Sequence, residues 1–349
     1  MTLVWTIAPL FVGACKKDQT VEAAAETSAP AARASEAPRA ISGAPNIEIR
    51  PFEPRIEGKW VGNGMSYGPY RDGESPDSEE PTSKAHILED MQILSKRWNL
   101  IRTYGFGEVA RDILEVIRDN GIPMRVMQGA WLSKHQTKAQ NDAQVDGAIE
   151  LAKEFPDIVV AVNVGNEALV DWSGHRIEDP SIFVSYVRQV RAAIPQPVTV
   201  CDDYNYWNKA PSKQVADEVD FICLHAYAFW NDQPFDNAAA WTQEVYNGIQ
   251  AMHPAHRIAF GETGWPTSRV YDDGSYEGGL VGVANEENQK GFFDWYDGWV
   301  DDNEVISFYF EAFDENWKGG WDGANPADKA EKHWGLYKSD RTPKLVLEK

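Results

Sequence analysis

The sequence predicts an α/β fold, a single (β/α)8 TIM barrel, because short apolar segments alternate with longer amphipathic segments along most of the chain. A segment such as residues 158–162 is apolar without interruption, which is typical of a strand buried on both faces of a parallel sheet. The alternative is an open doubly wound sheet. No glycine-rich phosphate-binding motif follows the first strand, so the sequence favours the barrel.

The barrel interpretation depends on eight predicted strands and on the helices between them. The predicted strands are residues 59–65, 100–104, 123–128, 158–164, 198–202, 219–225, 257–261 and 305–310. The predicted helices are residues 84–97, 108–120, 138–154, 181–194, 238–252 and 287–300. Gly121 ends the second of these helices, because glycine readily adopts the backbone conformation found just after a helix.

The composition limits the classes of partner. The chain has 349 residues with 54 acidic and 33 basic side chains, which gives a formal net charge of −21. A surface this negative repels phosphate backbones, so we expect no nucleic-acid partner. Its 14 tryptophans fit two uses, which are packing in the core and stacking on the apolar faces of sugar rings. Barrels of about 250 residues or more fold as one domain, so we expect one catalytic domain over residues 51–349, acting as a monomer.

The three cysteines are too few and too scattered for a disulfide framework or a structural zinc site. Cys201 and Cys223 lie in two different predicted strands, and we expect them to be buried free thiols. Neither a metal ion nor a cofactor is expected.

The N-terminal residues have the features of an export signal. Residues 2–14 are apolar and uncharged but too short to span a bilayer, and residues 12–15 resemble the lipobox of bacterial lipoproteins. Residues 1–15 are therefore predicted to be a signal segment with Cys15 as a lipid anchor, the only membrane contact that we expect. No basic residue precedes the apolar core, so the alternatives are a signal segment whose start is truncated and an apolar end without a sorting role. Residues 16–50, rich in Ala, Pro and Ser, are predicted to be a flexible linker. The protein would then be exported, as a bacterial cell-surface or periplasmic lipoprotein or otherwise as a secreted protein.

Polar side chains at the carboxyl ends of the predicted strands indicate the site, because these ends form the active-site face of a barrel. The fourth strand leads into Asn166 and Glu167, and the seventh leads into Glu262. These two strands lie nearly opposite each other in an eight-stranded barrel, so the two carboxylates can face one another across a ligand. Glycoside hydrolysis needs such a pair, one protonated and one ionised.

Six segments together resemble glycoside hydrolase family 17, and the resemblance covers about residues 58–345. The segments are residues 64–70, 101–105, 164–167, 261–266, 313–318 and 333–337. The resemblance implies a retaining β-1,3-glucan hydrolase, with Glu167 as acid/base and Glu262 as nucleophile. It also allows a β-1,3-glucanosyltransferase, and a noncatalytic glucan-binding barrel is a third possibility. Residues 230–237 and 269–283 depart most from the plant members of the family.

Further residues are expected to bind the sugar. Asn166 suits a hydrogen bond to the sugar 2-hydroxyl, Tyr227 could hold the nucleophile, and Glu315 with Lys318 resembles a charged pair of the family that lies near the cleft. An ordinary surface ion pair remains possible for the last two. Tryptophans that follow strands are candidates for stacking on sugar rings, whereas His225 is expected to be a buried histidine without a part in the reaction. The remaining predicted substrate-binding residues are Tyr67, Arg102, Tyr104, Trp131, Trp230, Trp265 and Trp317.

Overall fold

The computed structural model describes residues 39–78, 82–269, 280–319 and 326–348. The strands in them are β1 Arg55–Ile56, β2 Lys59–Trp60, β3 Asn63–Ser66, β4 Leu100–Arg102, β5 Arg125–Ala130, β6 Val159–Asn166, β7 Val198–Asp203, β8 Ile222–His225, β9 Ile258–Glu262 and β10 Ile306–Tyr309. Eight of these strands are parallel and close into a barrel in the order β10-β3-β4-β5-β6-β7-β8-β9, which confirms the predicted fold class. The segment 59–65, predicted as one strand, is divided between β2 and β3 in the structure. β1 and β2 form a separate antiparallel pair, and only β3 enters the barrel.

Helices cover the outside of the barrel. They are α1 Lys84–Leu94, α2 Glu108–Asp119, α3 Lys138–Glu154, α4 Pro180–Ala193, α5 Tyr204–Trp207, α6 Lys213–Ala216, α7 Phe235–Met252 and α8 Glu286–Asp302. The short helices α5 and α6 were not predicted, since four residues are too few to produce a helical hydrophobic period. Among the described residues, no helix is both long enough and apolar enough to cross a membrane.

The apolar core has two parts. One lies between the strands and the helices, where residues such as Ile113, Val145 and Phe292 are buried. The other fills the barrel interior and includes Leu100 and Met127. Side chains therefore close the centre of the barrel, and a ligand has access only at its ends.

The segment before β1 packs against the barrel at the amino ends of the strands. The Phe52 ring joins the interior core and stacks on Phe221 at 4.7 Å between ring centroids. The Arg50 guanidinium donates hydrogen bonds to the backbone oxygen of Ile194 at 2.8 Å, and Ser42 is bonded to His253 at 2.8 Å. The prediction of a flexible linker over residues 16–50 is therefore wrong for residues 39–50. The predicted signal segment and Cys15 lie outside the described residues.

The expectation of free thiols at Cys201 and Cys223 is wrong, because these residues form a disulfide. They are paired residues of the adjacent parallel strands β7 and β8, with Cα atoms 4.4 Å apart. This distance lies within the range that a disulfide requires. Sequence spacing does not reveal the pair, since only the register between the two strands brings the side chains together.

Candidate active site

Glu167 stands at the carboxyl end of β6 on an irregular backbone. It adopts a left-handed conformation with φ of +47°, and Gly165 two residues earlier has φ of +89°. Positive φ is costly for a residue with a side chain, so Glu167 is held there by the surrounding structure. A Cβ atom at Gly165 would also lie 2.5 Å from the Phe183 ring, which explains the glycine. The irregular turn places the Glu167 side chain in the mouth of the barrel.

Glu262 ends β9 and is almost completely enclosed. Its Oε1 accepts a hydrogen bond from Nη1 of Arg102 at 2.6 Å, and its Oε2 accepts one from the Tyr227 hydroxyl at 2.7 Å. Burial alone would raise the pKa of Glu262, but His225, the Arg102 charge and these hydrogen bonds lower it to about 2. Glu262 is therefore an ionised carboxylate at neutral pH, as a nucleophile must be.

Glu167 has the opposite electrostatic environment. Burial raises its pKa well above the usual value, and the negative charges of Glu262 and Asp203 raise it further. An oxygen of Glu167 and an oxygen of Glu262 lie within 4.8 Å of each other. Two carboxyl groups separated by about 5 Å are typical of retaining glycosidases, in which one is the acid and the other attacks the sugar.

His225 lies between the two glutamates. Its Nδ1 is 2.9 Å from Oε1 of Glu167 and 3.6 Å from Oε2 of Glu262, and its ring is fully buried. Burial lowers the pKa of His225 to about 4, so the ring is neutral at neutral pH. The expected burial of this histidine is confirmed, and the structure places its ring in contact with the acid/base, a position that the sequence analysis did not assign to it. The signal was its spacing from Tyr227, because residues two apart at a strand end point to the same side.

Packing beneath His225 leaves no room for a larger residue at position 261. A Cβ atom on Gly261 would lie 2.5 Å from Sγ of Cys223 and 2.7 Å from Nε2 of His225. The disulfide and the histidine thus occupy adjacent layers of the barrel interior, and Gly261 is the residue that permits the close approach.

Asn166 is held from both sides. Its side-chain oxygen accepts a hydrogen bond from Nη2 of Arg102, while its backbone oxygen is 2.7 Å from Nε2 of His175. Because Arg102 occupies the amide oxygen, the amide nitrogen is the part of Asn166 suited to contact a sugar hydroxyl. Arg102 thus orients Asn166 and Glu262 with one guanidinium.

The predicted pair of Glu315 and Lys318 is part of a buried cluster. Nζ of Lys318 lies 2.8 Å from Oε2 of Glu315 and also bonds Glu311. Burial alone would lower the pKa of Lys318, but the two carboxylates raise it well above the usual value. The alternative interpretation of Glu315 and Lys318 as an ordinary surface ion pair is therefore wrong. Tyr104 lies close to this cluster, and its ring packs under Arg102 at 4.5 Å.

Two predicted substrate-binding residues lie away from the mouth. Trp265 is fully buried, and its ring contacts Phe235 of α7 and Phe292 of α8 at centroid distances of 5.6 and 6.0 Å. Although it follows β9, its side chain points outward into the layer of helices. Tyr67 is also buried, and its hydroxyl donates to Oδ2 of Asp90 in α1 at 3.0 Å. Both predictions are wrong, because the direction of a side chain after a strand depends on the loop backbone.

The other predicted tryptophans are partly exposed. The Trp131 ring lies 4.8 Å from that of His175, which is bonded to the backbone of Asn166. Trp317 is 39% exposed and lies beside Lys318. Trp230 packs against Trp334 with the ring centroids 5.8 Å apart. Each remains a candidate for stacking on a sugar.

Two groups of side chains have the spacing of metal ligands among the described residues. One is Glu167, His225 and Glu262, and the other is Cys201, Cys223 and His225. The sulfurs of the second group are joined in a disulfide, so they are not thiolate ligands. In the first group the Arg102 cation already neutralises Glu262, which disfavours a second cation there.

A family model and two related proteins agree on the kind of enzyme that this chain resembles. A family model described as the BtgE/BtgC glycoside hydrolase domain matches residues 64–335. A probable glucan endo-1,3-beta-glucosidase btgC of Aspergillus clavatus is 28% identical over 303 residues, which are 81% of this chain and 42% of that protein. A glucan 1,3-beta-glucosidase of Arthroderma benhamiae is 28% identical over 298 residues, which are 81% of this chain and 89% of that protein. The chain thus spans less than half of the first relative and most of the second.

Solved structures agree with the barrel and its family. An endo-laminarinase from Formosa Hel1_33_131 has a TM-score of 0.70 and 26% identity, covering 82% of this chain and 86% of that chain. A glycoside hydrolase family 17 β-1,3-glucanosyltransferase from Rhizomucor miehei shares the fold with a TM-score of 0.65 and 23% identity, covering 82% and 96% of the two chains. With two glutamates in opposite protonation states at the ends of β6 and β9 and a family model that matches most of the chain, this protein belongs to the BtgE/BtgC glycoside hydrolase family.

Proposed function

We propose that this protein hydrolyses β-1,3-glucans with retention of anomeric configuration. The observation that carries the proposal is the pairing of Glu167, kept protonated, with Glu262, kept ionised, at a separation within 4.8 Å. An inverting enzyme would need a wider gap of roughly 6.5 to 9.5 Å to admit a water molecule between carboxylate and sugar.

In the first step an oxygen of Glu262 attacks the anomeric carbon of the donor sugar. The bond from that carbon to the glycosidic oxygen breaks, and the proton of Glu167 passes to the departing oxygen. The products are a free leaving sugar, a glucosyl ester on Glu262 and an ionised Glu167. The hydrogen bonds from Arg102 and Tyr227 hold the attacking carboxylate in place.

In the second step a water molecule attacks the same carbon. Glu167 takes a proton from this water, the ester bond to Glu262 breaks, and both carboxyl groups return to their starting states. Two displacements on one carbon restore the original β configuration. Asn166 would contact the 2-hydroxyl of the donor sugar, a contact that strengthens as positive charge develops at the anomeric carbon.

The β-1,3-glucan substrate is inferred from relatives. Those from Aspergillus clavatus and Arthroderma benhamiae are named for hydrolysis of 1,3-β-glucan, and the Formosa neighbour is an endo-laminarinase. The sequence also allows a β-1,3-glucanosyltransferase, in which a sugar hydroxyl replaces the water of the second step.

The test is a product profile over time on an unbranched β-1,3-glucan, with β-1,4- and β-1,6-glucans as controls. We expect shorter β-1,3-oligosaccharides, released first as the β-anomer by proton NMR, and no products from either control. Products longer than a defined starting oligosaccharide would identify a transferase instead. Initial release of the α-anomer, or activity confined to a control glucan, would overturn the proposal.

For localisation we propose an exported lipoprotein anchored at Cys15. Two features support export, namely the apolar segment with its lipobox-like end and the disulfide between Cys201 and Cys223, since such bonds persist in oxidising compartments. The Cys15→Ala variant should move from the membrane fraction to the soluble fraction and lose incorporation of a labelled fatty acid, with its specific activity unchanged. Unaltered membrane association would contradict the anchor.

A further inference from the structure

One peptide group beside the acid/base, the group that joins Asn166 to Glu167, is held at both of its polar atoms. Its N–H, which belongs to Glu167, donates to the backbone oxygen of Cys201 in β7 at 3.0 Å. Its oxygen, which belongs to Asn166, lies 2.7 Å from Nε2 of His175. A carbonyl oxygen only accepts hydrogen bonds, so Nε2 carries a proton and the histidine ring is the donor. The orientation of this peptide is therefore fixed by one strand and one side chain.

The orientation of this peptide determines the conformation of Glu167. The φ angle of a residue describes the rotation of its Cα atom relative to the peptide that precedes it, and here φ is +47°. A residue with a side chain stays in this left-handed region only where the surrounding contacts impose it. If the peptide could turn, Glu167 would return to an ordinary conformation and its carboxyl group would move away from its place opposite Glu262.

His175 is itself held in place before any substrate binds. Its backbone oxygen accepts a hydrogen bond from the N–H of Lys134 at 3.1 Å, and its Nδ1 lies 3.3 Å from Oγ of the buried Ser173. Its ring packs on Trp131 with 4.8 Å between the ring centroids. The segments after β5 and β6 thus fix the histidine, so its hydrogen bond to Asn166 is preorganised.

We infer that His175 is a positioning residue for the acid/base, because its hydrogen bond to the Asn166 carbonyl keeps Glu167 in the left-handed conformation. This inference rests on the proposed retaining hydrolysis and adds to it a residue that acts through Glu167. The nucleophile Glu262 is held by other groups, which are Arg102 and Tyr227. Loss of the His175 hydrogen bond should therefore weaken proton donation to the leaving oxygen and spare the attack by Glu262.

Two aryl β-laminaribiosides separate proton donation from attack, because they share the sugar and differ only in the leaving group. 2,4-Dinitrophenolate leaves without a proton, whereas the more basic phenolate depends on the acid. Laminarihexaose is the third substrate, and its leaving sugar also depends on the acid. The quantity compared is kcat/KM, since it includes no step after formation of the glucosyl ester.

The variants separate the donor from the ring. His175→Phe removes the donor but keeps a ring beside Trp131, His175→Ala removes the donor without adding bulk, and His175→Gln keeps an N–H donor near the place of Nε2. The matched control is His135→Phe. Nε2 of His135 lies 2.9 Å from the backbone oxygen of Gly174, so this variant removes a similar contact from the same segment but not from the peptide before Glu167. Thermal unfolding is measured for every variant.

The expected result is a loss that depends on the leaving group. For the Phe and Ala variants of His175, kcat/KM should stay within about twofold of wild type on the dinitrophenyl glycoside and fall by roughly 10- to 100-fold on the phenyl glycoside and on laminarihexaose, as for a misplaced catalytic group. His175→Gln should recover most of this loss. His135→Phe should match wild type on all three substrates.

Three results would overturn the assignment. An equal fall on both aryl glycosides, or unfolding of the Phe and Ala variants below the assay temperature, would mean that His175 supports the fold and not the acid. Unchanged kinetics in these two variants, or a Gln variant as impaired as they are, would mean that the hydrogen bond does not hold Glu167. A folded wild-type enzyme inactive on all three substrates would instead overturn the proposed β-1,3-glucan hydrolysis, and the inference with it.

Discussion

Nδ1 of His225 lies 2.9 Å from Oε1 of Glu167, inside a barrel where the histidine ring has no exposure to solvent. The other ring nitrogen, Nε2, is buried without a hydrogen-bond partner. A buried N–H without a partner costs more than an unused lone pair, so the ring proton belongs on Nδ1. Oε1 of Glu167 then accepts a hydrogen bond from Nδ1–H of His225. Oε2 of Glu167 is left to carry the proton that is transferred to the leaving oxygen.

His225 is therefore expected to position the acid. His225→Asn keeps a donor near the place of Nδ1 and should retain much of kcat, whereas His225→Leu should lower kcat by roughly 10²-fold, as a misplaced catalytic group does. His225→Leu also removes a hydrogen-bond donor to the Glu167 carboxylate, which raises the pKa of Glu167. The alkaline limb of the pH–rate profile of this variant should therefore move to higher pH. Equal activity of the two variants on polymer, with unchanged pH profiles, would mean that the histidine only packs.

The two glutamates should respond differently to substitution. Glu262→Ala cannot form the ester, and azide should restore activity by direct attack, giving the α-glycosyl azide. Glu167→Ala keeps the nucleophile, so an activated aryl glycoside still forms the ester, and azide should then give the β product. NMR of the azide products checks both assignments. Opposite configurations would exchange the two roles, and full activity of either variant on polymer would exclude the pair.

Asp203 should set the alkaline limb of the pH profile. Its negative charge raises the pKa of Glu167, and the enzyme is active only while Glu167 holds its proton. Asp203→Asn removes the charge, so the pKa of Glu167 falls and activity is lost at a lower pH than in wild type. Asparagine still caps α5, whose Asn205 N–H is bonded to the Asp203 side chain, so folding should be preserved. A kcat profile with an alkaline limb at the wild-type pH or above would contradict this electrostatic role.

The disulfide should contribute to stability. It joins residues separated by 22 positions, and removing a cross-link of that length costs about 3 kcal/mol in the chain-entropy treatment. The double variant Cys201→Ala, Cys223→Ala should therefore unfold at a lower temperature, by roughly 5 °C for a domain of this size. Calorimetry measures the shift, and thiol titration of the unreduced, denatured wild type should find neither cysteine free. Two reactive thiols at these positions would refute the bond.

Trp265→Ala should act on stability rather than on substrate binding. The ring packs among Phe229, Phe235 and Phe292, and its Nε1 donates to the backbone oxygen of Val283 at 3.0 Å. Removing a buried tryptophan costs about 3 to 5 kcal/mol, which denaturant unfolding would detect. A variant with wild-type stability but a raised KM would place the ring in the cleft instead.

The barrel and the two glutamates could be predicted because their signals are local. An uninterrupted apolar segment such as 158–162 indicates a buried strand without knowledge of its neighbours. The carboxyl ends of parallel strands meet at one face of a barrel, so Glu167 and Glu262 could be paired from their positions alone. The net charge could also be predicted from the sequence, since it is a sum over residues and does not depend on the fold.

Side-chain directions and contacts between strands were decided only by the tertiary structure. Trp265 and Trp172 each follow a barrel strand, yet one points into the helical layer and the other into solvent, because loop backbone angles set the direction. Cys201 meets Cys223 through the register of β7 and β8, which depends on how the whole barrel closes. The protonation states of Glu167 and Glu262 also depend on closure, since burial, Arg102 and His225 act on them from other strands and have no counterpart in the sequence spacing.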